Sequence, residues 1–171
     1  MNTFKMSPKG LAMTKEFEQL MLKPYLCPAG VPTIGYGCTR YENGKAVTLK
    51  DSPVTEKRAT ELLLNSLKEY EKTVNTFVQT KITQNQFDAL VDFCFNVGVS
   101  ALKASTLLKK VNLYPNDPTI ELEFLKWCKA DGAHNGKDDD GDGEVDEKGE
   151  KQVLKGLLRR RQAEAKLYFS R

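Results

Sequence analysis

Glu18, Cys27 and Thr33 stand nine and then six residues apart within the segment EFEQLMLKPYLCPAGVPTIGYGCT, residues 16–39. A carboxyl, a thiol and a hydroxyl form a set able to run a hydrolysis. The carboxyl can hand a proton to a leaving atom. The thiol, once ionised, can act as a base or attack directly. The hydroxyl can hold a water molecule. Glu18 lies beside Phe17 and Met21 on an apolar helix face, so partial desolvation would help it keep its proton.

A second set of chemical groups lies far down the chain. Asp138 to Asp146 read D-x-D-x-D-G-x-x-D. Alternating carboxylates can converge on one ion, and the glycine allows the sharp turn such a loop needs. The spacing points to Asp138, Asp140, Asp142 and Asp146 as calcium ligands, with the carbonyl of Glu144. A full twelve-residue loop of the EF type would end in Glu, but Gly149 stands there, so a shorter loop is expected. Calcium here would be structural, and no cofactor is expected for catalysis.

These groups need elements to position them. Ser7-Pro8 reads as a helix start, with Glu18 near the helix end and Pro24 as the break. Residues 25–50 carry Gly30, Gly35, Gly37 and Gly44 with Pro28 and Pro32, the pattern of a small sheet with tight turns. From Thr55 a long amphipathic helix follows, with Ala59, Leu62, Leu63, Leu67, Tyr70, Val74 and Phe77 on its apolar face. It is long enough to link two lobes. Thr83 to Gln86 has the form of a capping box. The helix behind it, through Phe87, Val91, Cys94 and Val97, is apolar nearly all round and should be the central core helix, ended by Gly98. A further helix is expected from Asp117-Pro118 to Trp127, and a basic amphipathic one from Leu154 to Phe169. The fold class is α+β with helices dominating.

Composition sets the outer bounds. With 171 residues, 40% hydrophobic and 29% charged, the chain is an ordinary globular protein. No apolar run reaches the ~20 residues of a membrane span, so no stable membrane insertion is expected, and MNTFKMSPKG lacks a secretory core. Net charge is +3, yet residues 138–150 carry −7, which leaves +10 for the rest. A basic body suits a polyanionic partner. The basic run lacks interleaved aromatics, which argues against nucleic acid. The cysteines (Cys27, Cys38, Cys94, Cys128) and the single His134 fit no zinc pattern.

The segment 16–39 resembles the phage-type lysozymes, the endolysins of glycoside hydrolase family 24. Phe17-Glu18-Gln19, Tyr25-Leu26-Cys27 and Thr33-Ile34-Gly35-Tyr36-Gly37-Cys38-Thr39 follow that family's pattern. The likeness continues through TQNQFDAL, FNVG, STLLKKVN and GLLRRRQAE, leaving out the acidic segment. It implies a lysozyme-like architecture: a small N-terminal β lobe at about 23–54, a helical lobe at about 80–171, and an acidic insertion at about 134–152, all in one domain. It also implies a muramidase that hydrolyses the β-1,4 bond between N-acetylmuramic acid and N-acetylglucosamine. The catalytic set would be Glu18, Cys27 and Thr33. Asn96 and Thr106 would line the sugar groove, and Arg160 would pair with the catalytic Glu. Cleavage of a glycosidic bond needs a proton on the leaving oxygen and help for an attacking group on the opposite face.

Most such sequences carry Asp where this one has Cys27, so a water-mediated, inverting route and a covalent, retaining route are both open. Cys38 stands where the family usually has His. Cys27 and Cys38 could form a disulfide blocking the site on oxidation, although a reducing cytoplasm keeps thiols free. The implied partner is bacterial peptidoglycan, met by a monomer made in the host cytoplasm and released to the wall by a holin-type factor. A catalytically impaired, peptidoglycan-binding protein of the same fold is the alternative.

Overall fold

The computed structural model describes residues 3–131 and 151–171. Helix α1 spans Pro8–Phe17. The Ser7 hydroxyl caps it by accepting from the Gly10 N–H at 3.2 Å and also bonds the Asp88 carboxylate. The cap thus fastens the helix start to the core. The helix ends at Phe17, seven residues before the break expected at Pro24. Glu18 takes an extended backbone (φ −98°, ψ 129°), and its N–H closes on the Thr14 carbonyl.

Strand β1 (Met21–Leu26) then pairs antiparallel with β2 (Pro32–Gly35), placing Tyr25 opposite Thr33. Pro24 lies inside β1 because the ladder is irregular between Met21 and Tyr25. A proline, lacking an N–H, is tolerated at such an edge irregularity. The chain continues through short bridges, Ile34 with Cys38 and Arg40 with Ala46. A small core of Ile34, Cys38, Val47 and Leu62 holds this region together.

Helix α2 (Glu56–Phe77), capped by Thr55, is the long connector the sequence implied. Its apolar face is shared. Leu62 belongs to the small core, while Leu63, Leu67 and Val74 belong to the large one. Helix α3 (Gln84–Val97) carries the expected capping box and is buried from Gln86 to Cys94. Gly98 ends it at φ +93°, a conformation that favours glycine.

Two short helices, α4 (Val99–Ala104) and α5 (Thr106–Leu113), fill a stretch for which the periodicity gave no expectation. Helix α6 (Ile120–Leu125) begins two residues after Pro118 and runs into a 3₁₀ turn at Lys126–Cys128. Strands β3 (Lys129–Asp131) and β4 (Lys151–Val153) pair antiparallel and bracket the acidic segment. Helix α7 (Lys155–Tyr168) packs along α3. The result is α+β, a small hairpin-based part beside a larger helical body.

Gly10 marks how closely α1 approaches α3. A Cβ there would meet the Asp88 Cβ at 2.6 Å. Alanine normally favours a helix interior over glycine by about 1 kcal/mol. Here overpacking outweighs that gain, so Gly10→Ala should destabilise the protein by about 1–3 kcal/mol. Thermal unfolding will show this as a lower Tm, whereas an unchanged or higher Tm would contradict the close approach.

Candidate functional site

Glu18 leaves the end of α1 and is partly covered, its side chain 23% exposed. Its Oε1 accepts from Arg160 Nη1 at 2.7 Å. Its Oε2 is turned toward Gly37, 3.8 Å from where a Cβ would stand. Arg160 comes from the second turn of α7. It gives its other two nitrogens to the buried Asp92 of α3, Nε to Oδ2 and Nη2 to Oδ1, both at 3.0 Å. One guanidinium therefore joins a core carboxylate to a cleft carboxylate.

The cleft itself has a volume of about 570 Å³. Phe17, Glu18, Asn96, Leu154, Leu157, Arg159 and Arg160 are among its lining residues. Arg159 is exposed, pairs with Glu16 at 2.9 Å and lies over the Phe17 ring. Thr106 stands exposed at the start of α5 and is not among the lining residues. Asn96 is, at the last turn of α3.

Cys27 and Thr33 sit across the β1–β2 hairpin, Cys27 at its turn and Thr33 inside β2. Thr33 is nearly buried, and its hydroxyl donates to the Val31 carbonyl at 2.9 Å. The backbone N–H groups of Val31 and Ala29 hold the Cys27 thiol below the usual thiol range, and the Thr33 hydroxyl adds to this. Thiolate character is what a base or nucleophile needs. Cys94 shows the opposite case: burial pushes its thiol up to about 12. All four cysteines are free, and the buried Cys38 thiol donates to the Arg40 carbonyl.

Burial, then the charges of Cys27 and Glu18, push the Tyr25 phenol above the usual range. Cys27 and Thr33, like Thr106, are not among the residues lining the cleft of Glu18. Tyr25 stood in the motif, but the sequence assigned it no role.

Two further residues went unread, Asp92 and Glu164. Asp92 is a lone charge within the apolar run Val91–Cys94, and a buried charge demands a partner. Glu164 lies three and four residues after Arg161 and Arg160 on α7, the spacing of helix neighbours. Both carboxylates are fully buried. Burial works against ionised Asp92, but the Arg160 charge and hydrogen bonds outweigh it and hold that carboxyl below its usual range. Burial pushes Glu164 the other way, well above the carboxylate range, with the Asp92 charge adding to the effect. Burial and the neighbouring Asp92 charge thus favour the protonated form of Glu164.

The proposed calcium ligands Asp138, Asp140, Asp142, Glu144 and Asp146, and His134, lie outside the described residues. Among the described residues no group of three or more His, Cys, Asp or Glu is placed to hold a metal ion. Among them also, no helix is long and apolar enough to cross a membrane.

Comparison with known proteins shows the family and the fold. The family profile described as phage lysozyme matches residues 15–164. An endolysin of Acyrthosiphon pisum secondary endosymbiont phage 1 is 37% identical, covering 96% of this chain and 97% of its own length. The solved endolysin of Escherichia coli O157:H7 phage FAHEc1 superposes with a TM-score of 0.81 at 33% identity, covering 99% of this chain and 96% of its own. The muramidase domain of SpmX from Asticaccaulis excentricus gives 0.77 at 33% identity, covering 99% and 100%.

The opposed shifts of Asp92 and Glu164 predict a pH profile of stability. Asp92, depressed in the folded state, contributes stability above its ordinary value of 3.8 that is lost as pH falls through its folded value. Glu164, raised, contributes stability below its ordinary value of 4.5 that is lost as pH rises toward its folded value. Glu164→Gln, which mimics the protonated acid, should therefore flatten the decline of Tm above pH ~4.5 without loss at lower pH. A large loss of Tm in Glu164→Gln across the whole range would show instead that the ionised form is required.

Proposed function

The chain belongs to the phage lysozyme family and is a muramidase that lyses bacterial cell walls; from that premise we propose how its residues cut the β-1,4 bond between N-acetylmuramic acid and N-acetylglucosamine. Glu18 is the general acid. The observation that carries this is the division of labour between its two oxygens: Oε1 is clamped by Arg160, while Oε2 faces Gly37 with no hydrogen-bond partner among the described residues. The free oxygen delivers its proton to the leaving glycosidic oxygen. The carboxylate that remains is already paired with a fixed guanidinium, so no side chain must reorganise as the charge appears.

Cys27 acts from the hairpin. Its thiol is held toward the ionised form by the turn N–H groups, and as the thiolate it takes a proton from an attacking water. Thr33 orients the sulfur. The sugar is then attacked from the face opposite Glu18, which gives inversion at the anomeric carbon. The substrate is met at the wall, after synthesis in the host cytoplasm and release by a holin-type factor, by the monomeric protein. Asn96 lines the glycan path. The acidic segment binds calcium as a structural ion.

Purified cell walls give the direct test. Glu18→Gln keeps the shape of the side chain and the Arg160 contact but removes the proton, so turbidity clearing should fall by at least about 100-fold with Tm retained. Cys27→Ser should lower the rate strongly and move the acidic limb of the pH–rate profile, which reports deprotonation of the base. Clearing by Glu18→Gln at the wild-type rate would refute the assignment. For the metal, EGTA should lower the Tm and added Ca²⁺ should restore it; a Tm indifferent to both would remove calcium from the account.

A further inference from the structure

Arg161 is fully buried where α7 packs on α3, beside Arg160 but outside the chemistry assigned above. Among the described residues its Nε and Nη1 have no hydrogen-bond partner, and neither has Glu164 Oε2. Its charge sits over the Phe93 ring at 4.9 Å. A buried guanidinium with unsatisfied donors is costly, and a well-packed apolar side chain in its place is often at least as stable.

Nη2 makes the polar contacts that Arg161 does have. It reaches Glu164 Oε1 at 2.5 Å and Asn96 Oδ1 at 2.9 Å. The second contact fixes a direction. A guanidinium offers donors only, so Asn96 must present its oxygen to it. The amide NH₂ of Asn96 is then turned the other way. Asn96 is exposed and lines the cleft that holds Glu18.

We infer that Arg161, held in place by Glu164, is a positioning residue that locks the Asn96 carboxamide so that its NH₂ faces the cleft as a fixed donor for an amide carbonyl of the wall polymer. Without the lock, the carboxamide is free to turn and present an oxygen, which cannot serve a carbonyl. Amide carbonyls in the substrate come from the N-acetyl groups and from the stem peptides. The inference rests on the muramidase reading and adds to it the part of the site that reads this group.

The test separates binding from chemistry. Arg161→Met should retain the fold and raise KM about tenfold, the size of one hydrogen bond, with kcat nearly unchanged. Should Arg161→Met fold poorly, Arg161→Met/Glu164→Met removes both buried polar groups and carries the same expectation. Asn96→Ala should raise KM by a similar factor. Combining it with Arg161→Met should add no further loss, because both act through one contact. A KM shift that persists on glycan strands stripped of peptide assigns the carbonyl to an N-acetyl group. A shift confined to intact wall assigns it to the peptide. The inference is overturned if Arg161→Met leaves KM unchanged, lowers kcat alone, or adds fully to Asn96→Ala. Failure of the wild-type protein to clear walls would instead sink the muramidase reading itself.

Discussion

The Arg160 guanidinium is the constraint on which the site depends. Two of its nitrogens are spent on Asp92, a carboxylate with no solvent exposure, and only the third reaches Glu18. Bidentate pairing fixes the plane of the guanidinium as well as its position. Glu18 thus inherits its orientation from the packing of α3 against α7. Any change that shifts those two helices moves the Glu18 carboxyl, although neither helix carries it. The arrangement also explains why burying Asp92 is tolerable. Removing its one strong partner would leave a charge in the core, at a cost of about 3–5 kcal/mol.

Glu18 and Cys27 are held by different means. The Glu18 carboxyl is held by a side chain on a rigid helix. The thiol is held by the backbone of a turn, whose N–H groups point at the sulfur. Backbone donors cannot be lost by substitution and cost no rotamer entropy. The contrast between Cys27 and Cys94 makes the point within one molecule. Both are free cysteines, yet one is favoured as thiolate by turn donors and the other is kept neutral by apolar surroundings. Residue type set what was possible, and the local environment chose between outcomes.

The same reasoning shows what the sequence could and could not reveal. The cap at Ser7, the capping box at Thr83 and the stop at Gly98 are local signals written in consecutive residues, and each was readable. So was the long connector α2, whose apolar spacing extends over many turns. Glu18 and Arg160 were placed through the family likeness, and the coordinates join them with a hydrogen bond. The end of α1 was misread because Pro24 looks like a breaker, whereas it occupies an irregular strand edge that only pairing with β2 creates. Helices α4 and α5 are too short for periodicity to mark. Asp92 escaped because a buried charge gains its meaning from a partner far away in sequence, and Glu164 because its spacing from Arg160 and Arg161 is equally that of an exposed helix pair. For Asp92 that partner lies 68 residues further on.

The acidic segment bears on how the fold accepts a large, highly charged addition. Asp131 and Lys151 are register partners, so the chain leaves and re-enters the body at adjacent points of one small ladder. The entropic cost of closing a loop grows slowly with its length, and the β3–β4 pairing fixes both ends. The body therefore need not rearrange to carry the segment. Beyond β4 the chain turns at once: Leu154, whose N–H bonds the Cys128 carbonyl, caps the start of α7 and lines the cleft. The two-stranded ladder that isolates the acidic charge is thus also the piece that sets the start of the helix bearing Arg160.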